Sequence, residues 1–139
     1  MVSYDIKALY PSIPQDEAIS TFHEKMVNDP HLDQKTTMSA LQVTSLFKTI
    51  DTKTYFQFNK KLYIQSNGLA IGASTSGFAA DLYMEKIERI ALDTFAHPPE
   101  IWLRYVDDTF SINNKTHIDS FLTHLNQQHP RIQEPSRKQ

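Results

Sequence analysis

The sequence predicts an α+β domain, one antiparallel sheet with helices packed on one of its faces. Three observations lead there. Four stretches carry apolar residues at helical spacing. Two pairs of β-branched and aromatic runs fold back across short turns. The order of the segments is strand, two helices, hairpin, long helix, hairpin, helix, which suits a layered antiparallel sheet. The chain has 139 residues, 40% of them apolar. That is enough for one domain that buries roughly two thirds of its extended-chain surface.

Residues 2–6 form a short apolar-rich run that leads to Tyr10-Pro11, where proline restricts the residue before it, so a strand followed by a turn is expected. Asp5 therefore lies on a strand. A helix over 15–28 is predicted from the spacing of Ala18, Ile19, Phe22 and Met26, with Asp16 and Glu17 at its positive end and Asp29-Pro30 beyond it. A second helix, over 35–48, would turn Val43, Leu46, Phe47 and Ile50 to the core. The runs 54–58 and 62–66 read as a hairpin around Asn59, Lys60 and Lys61, and Asn67-Gly68 turns the chain afterwards.

The longest helix is expected over 74–95, on Ala80, Met84, Ile87, Ala91 and Phe95, with Ser74 or Thr75 as its cap and Pro98-Pro99 after it. The segment IWLRYVDDTFSI then reads as a hairpin whose turn carries Asp107 and Asp108. A last helix over 116–127 places Ile118, Phe121, Leu122 and Leu125 on one face, with Thr116 and Asp119 in capping-box positions. One domain over 1–133 is expected, followed by a frayed, disordered tail over 134–139 that has no apolar pattern.

Composition narrows the function. A formal charge of −2 provides no global basic field for phosphate, so any nucleic-acid contact must be local. The absence of cysteine excludes disulfides and thiolate metal sites. The first residues carry charges and no long apolar run, so an intracellular, soluble chain without membrane contact is expected, nuclear and cytoplasmic placement being indistinguishable.

The acids carry the chemistry. With 16 acidic residues in the chain, an adjacent acidic pair means little by itself, since roughly two arise by chance. Asp107-Asp108 differs from Asp16-Glu17 because strand formers flank it, so a turn would concentrate two carboxylates at a sheet edge. Asp5 is an acid inside an apolar strand, and a buried carboxylate needs a partner, a raised pKa or a metal. Composition leaves open a solvent-facing turn for the pair and a half-exposed strand position for Asp5. If the strand of Asp5 lies beside the hairpin of Asp107, three carboxylates converge, and such hard oxygen ligands select Mg²⁺ or Mn²⁺. Two such ions can drive an in-line nucleotidyl transfer.

In order and spacing, SYDIKALYPSIP, QSNGLAIGASTSGFAADLYMEKIE and RYVDDTF resemble motifs A, B and C of reverse transcriptases, and the likeness runs from Ser3 to about Gln133. Within that superfamily the chain is similar to Penelope-like elements, a class of retrotransposon. The resemblance implies a polymerase palm that joins dNTPs to a primer 3′-hydroxyl on an RNA or DNA template. It implies Asp5, Asp107 and Asp108 as the catalytic acids. Two Mg²⁺ or Mn²⁺ ions would be held by these three and by the Ile6 carbonyl. Ala8, Leu9, Tyr10, Asn67 and Gly68 would meet the nucleotide, with Tyr10 excluding a ribose 2′-hydroxyl. A plain core tyrosine is the alternative for Tyr10. The chain departs from the family at Asn67, where glutamine is common, and at Ala73-Ser74-Thr75, where Ser-Pro follows the glycine.

Other residues carry simpler readings. The histidines are scattered with no metal-ligand motif, Lys60 and Lys61 solvate a turn more simply than they touch a phosphate, and Arg104 either pairs with a carboxylate or reaches a primer. Against the family pattern there is no room for the upstream fingers, and the thumb and a GIY-YIG endonuclease do not follow. A truncated, catalytically inactive remnant retaining only the fold is therefore the second expectation.

Overall fold

The computed structural model describes residues 1–132 and the backbone of residues 136–138. The first half runs β1 (Val2–Asp5), α1 (Leu9–Ser12), α2 (Gln15–Val27), α3 (Leu32–Lys35), α4 (Ala40–Thr52) and the hairpin β2 (Tyr55–Phe58) and β3 (Lys61–Ile64). The second half runs α5 (Ser76–Thr94), the hairpin β4 (Ile101–Tyr105) and β5 (Asp108–Ile112), a 3₁₀ turn at Lys115–His117, α6 (Ile118–Gln128) and β6 (Ser136–Lys138). The main sheet has the order β4-β5-β1-β6 with every neighbouring pair antiparallel, while β2 and β3 form a sheet of their own. The fold is the α+β arrangement expected.

Alternation along the strands decides which face the helices cover. Val2 and Tyr4 of β1 and Thr109 and Ser111 of β5 are buried, whereas Asp108 and Phe110 point outward. Behind the sheet, Tyr4 meets Trp102 at 5.4 Å between ring centroids, and Trp102 meets Phe121 of α6 edge-on at 5.4 Å. Helix α5 is the spine. Its buried Ala80, Met84, Ile87 and Ala91 recur at the expected period, and α2 and α4 close over it with Phe22 and Phe47 stacked at 4.1 Å. Each fully buried side chain of this size contributes about 1.5–3 kcal/mol by leaving water.

Several boundaries differ from expectation, each for a local reason. Tyr10-Pro11 forms one helical turn, α1, instead of a plain turn, because proline needs no N–H partner in a first turn. The second helix begins at Ala40 because Ser39 and Gln42 cap it reciprocally, Gln42 N–H to Ser39 Oγ at 3.3 Å and Ser39 N–H to Gln42 Oε1 at 2.9 Å. On that helix Phe47 is buried, but Leu46 and Ile50 are 52% and 45% exposed, so the apolar face is wider than its cover. The long helix starts at Ser76 behind Thr75, which provides no side-chain cap. Before the last helix the capping side chain is Asn114, which accepts from Thr116 N–H, in place of the expected Thr116 and Asp119 box. In the tail expected to fray, residues 136–138 form β6 on the outer side of β1; the rest of it lies outside the described residues.

Two buried acids, Asp51 and Glu88, were missed. Asp51, at the end of α4, is 2% exposed; the Thr75 hydroxyl reaches its Oδ1 at 3.5 Å, and Oδ2 has no hydrogen-bond partner in the protein. Burial pushes its pKa up, and hydrogen bonds from Thr75 and Gln15 only partly oppose this. A raised folded-state pKa gives stability that is fully present below the ordinary carboxylate value and lost as pH rises through the folded value. Asp51→Asn cannot ionise, so its melting temperature should gain on that of the wild type as pH rises from about 4 to 7. Parallel pH profiles would mean that the carboxylate is not strained by burial.

Candidate active site

Asp5, Asp107 and Asp108 fall at the same end of the main sheet. In the β1–β5 register Asp5 lies directly opposite Asp108, and one step further the Ile6 N–H donates to the Asp107 carbonyl at 3.0 Å. The strand of Asp5 does lie beside the hairpin of Asp107, and the residue directly across from Asp5 is Asp108, because the turn between β4 and β5 holds only Val106 and Asp107 and so leaves Asp108 as the first residue of β5. Directly opposed residues share a face, so Asp5 and Asp108 both lie on the side that the helices leave open. Like charges in that relation destabilise a sheet unless something compensates.

The turn itself is strained. Val106 has φ 58°, a left-handed conformation that a β-branched residue rarely adopts. Arg104 holds it. Arg104 lies on the inner side of β4 with its side chain 8% exposed; Nη1 donates to the Val106 carbonyl at 3.2 Å and pairs with Asp81 at 2.8 Å, and Nε pairs with Glu88 at 2.8 Å. Of the two readings open for Arg104, the carboxylate pairing is the one observed. Burial raises the Glu88 pKa, and Arg104 is the main opposing influence. The signal for this cluster was present in the sequence, since Glu88 falls on the buried stripe of α5 and Arg104 alternates in phase with Trp102.

The segments expected to meet a nucleotide pack against each other. Tyr10 accepts the Leu69 N–H on its carbonyl at 2.8 Å, and its ring is half-buried against the core with the hydroxyl beside Gly77. Leu9 places its side chain in the core, and Ala8, with φ 48°, turns the chain into α1. Asn67 is exposed. Gly68 has φ 72°, and a Cβ there would stand 2.6 Å from the Pro11 carbonyl oxygen. Glycine is thus required by a close approach to the α1 backbone, whereas an approach to nucleotide was expected to require it.

No three His, Asp or Glu side chains among the described residues stand together as a metal-holding group. The donor set nevertheless fits a hard cation: the side-chain donors are carboxylate oxygens, Asp107 and Asp108 are exposed, and the opposed pair gains from a positive charge between them. An open groove of about 600 Å³ between α2 and α5, lined in part by Thr21, Lys25, Phe78 and Arg89, includes none of these acids. Among the described residues no helix is long and apolar enough to cross a membrane.

No protein-family model and no curated protein matches the chain. Among solved structures, apo telomerase from Candida tropicalis truncated from C-terminal domain superposes with a TM-score of 0.63 over 99% of this chain, at 16% identity. The chain spans about 30% of the length of that one. At such identity the likeness is one of fold: the α+β arrangement of this chain is shared with part of that structure.

Proposed function

We propose that this chain is the palm of an RNA-directed DNA polymerase of the Penelope-like kind, adding dNTPs to a primer 3′-hydroxyl on an RNA or DNA template. The observation that carries the reading is the cross-strand pair Asp5 and Asp108 with Asp107 in the adjoining turn, all within segments that resemble motifs A and C. Asp5, Asp107, Asp108 and the Ile6 carbonyl would hold two Mg²⁺ or Mn²⁺ ions. Such ions, when bound, activate the attacking hydroxyl and stabilise the departing pyrophosphate. Arg104 keeps the turn and its acids in place. Tyr10 would lie beneath the sugar, on the seam where Leu69 is tied to α1. Fingers and a thumb, elsewhere in such a polymerase, would hold the triphosphate and the duplex.

Metal binding tests the site directly. Millimolar Mg²⁺ or Mn²⁺ should raise the melting temperature of the wild-type chain, by about 2.7 kcal/mol of added stability at a hundredfold excess over Kd, and Asp107→Asn should remove the gain. Equal melting temperatures with and without metal would sink the metal site. They would favour the second reading, a remnant that keeps the fold. Sugar choice tests Tyr10: in a version that extends a primer, Tyr10→Val should raise ribonucleotide over deoxyribonucleotide incorporation, and an unchanged ratio would leave Tyr10 as a core residue.

A further inference from the structure

The β2–β3 hairpin exposes more apolar surface than a free-standing two-stranded sheet tolerates. Tyr55, Phe56, Phe58, Leu62, Tyr63 and Ile64 are each between 41% and 74% exposed. A lone hairpin of this kind is marginal in water without a cover. The register sorts the side chains into two faces: Phe56 stands opposite Tyr63 and Phe58 opposite Lys61 on one, Tyr55 opposite Ile64 and Gln57 opposite Leu62 on the other. The first face is aromatic and cationic. Phe56 and Tyr63 lie near-parallel, 18° apart with centroids at 5.4 Å, and the row ends at Phe58 and Lys61.

Charge points to what covers that face. From Thr52 to Ala80 the chain has Lys53, Lys60 and Lys61 and no acidic residue, although its net charge is −2. All three lysines are exposed. Lys60 occupies the second turn position with φ 61°, where glycine would be less strained. A polyanion with stackable faces matches this surface better than a protein does: lysines meet phosphates, and flat rings accept bases of any sequence. The hairpin is also joined to the candidate site. Gln65, just after β3, donates through Nε2 to the carbonyls of Asn67 at 2.9 Å and Leu69 at 3.1 Å, and Leu69 is bonded to Tyr10.

We infer that the Phe56, Phe58, Lys61 and Tyr63 face of this hairpin, with Lys60 at its tip, binds single-stranded nucleic acid by base stacking and phosphate contact. Its identification as the unpaired stretch of a template rests on the polymerase reading; the binding itself does not.

The test is fluorescence anisotropy of the whole chain with a labelled, mixed-sequence single-stranded oligoribonucleotide of about 12 nucleotides, with the same sequence as a duplex and with inorganic polyphosphate. Single strand should bind tightest. Phe56→Ala and Phe58→Ala should each weaken it by about tenfold with little change in salt dependence, as lost stacking does. Lys60→Gly should weaken binding and flatten the salt dependence while raising the melting temperature, a combination that a merely structural turn residue would not give. Unchanged affinity after ring removal, equal affinity for duplex or polyphosphate, or a chain dimer that Phe58→Ala dissolves would each overturn the proposal, the last by showing a second copy as the cover. The melting temperature of the wild-type chain with and without millimolar Mg²⁺ or Mn²⁺, measured alongside, separates the two readings. Hairpin-dependent binding without a metal effect would remove the polymerase reading alone, and a metal effect without hairpin-dependent binding would remove this one alone.

Discussion

Asp107→Asn should lower nucleotide incorporation by about a thousandfold in any version of the protein that extends a primer, since a metal clamp supplies several kcal/mol of transition-state stabilisation at 1.36 kcal/mol per tenfold. The substitution keeps the size of the side chain and removes its charge. The turn should survive it, because the hydrogen bond that ties this residue to β1 is made by its backbone carbonyl to Ile6. Asp5→Asn should behave alike in the incorporation assay. The chain by itself should extend a primer poorly, because positioning of the reacting atoms supplies roughly 7 to 11 kcal/mol and a net charge of −2 gives no global attraction for a triphosphate. The assay is extension of a primed RNA template at low salt with Mg²⁺ or Mn²⁺, by the chain and by a version that carries fingers and a thumb. Equal synthesis by the wild type and Asp107→Asn would remove Asp107 from the chemistry.

The second large effect is on stability. Arg104→Met should cost about 3–5 kcal/mol at neutral pH, because it leaves Glu88 buried and charged without a partner. That is a large share of the about 5–15 kcal/mol that holds a domain together. Asp81 adds little to this, since its side chain is 66% exposed. Sign matters for the pH dependence. The Glu88 pKa is already raised by burial, and losing Arg104 raises it further, so the carboxyl takes up a proton sooner as pH falls. The penalty should therefore shrink from neutral pH toward about pH 5. Arg104→Met with Glu88→Gln should recover much of the loss, as an apolar or neutral replacement of both partners of a buried ion pair commonly does. Urea unfolding across pH measures all three. A small, pH-independent cost for the single variant would show that water reaches the pair in solution.

What the sequence determined by itself is the local part of this protein. Period, capping and turn chemistry act over a few residues. They made α5 readable from Ala80 to Ala91, the β4–β5 hairpin readable from the strand formers around Asp107-Asp108, and the order of elements that implies an α+β sheet. The motif residues were legible because Asp5 and the Asp107 pair sit in such local frames. What the tertiary structure decided is which distant residues meet. A strand register is fixed by the pairing of two segments far apart in the chain, and a shift of one residue separates Asp5 opposite Asp108 from Asp5 opposite Asp107. The same holds for Gly68, whose close approach to the Pro11 backbone no local pattern announces. It holds for Leu46 and Ile50, whose helical spacing marks an apolar face but not whether anything packs on it. Arg104 and Glu88 complete the case: Arg104 was open between a carboxylate and a primer, Glu88 drew no reading, and only the packing of β4 on α5 made them partners.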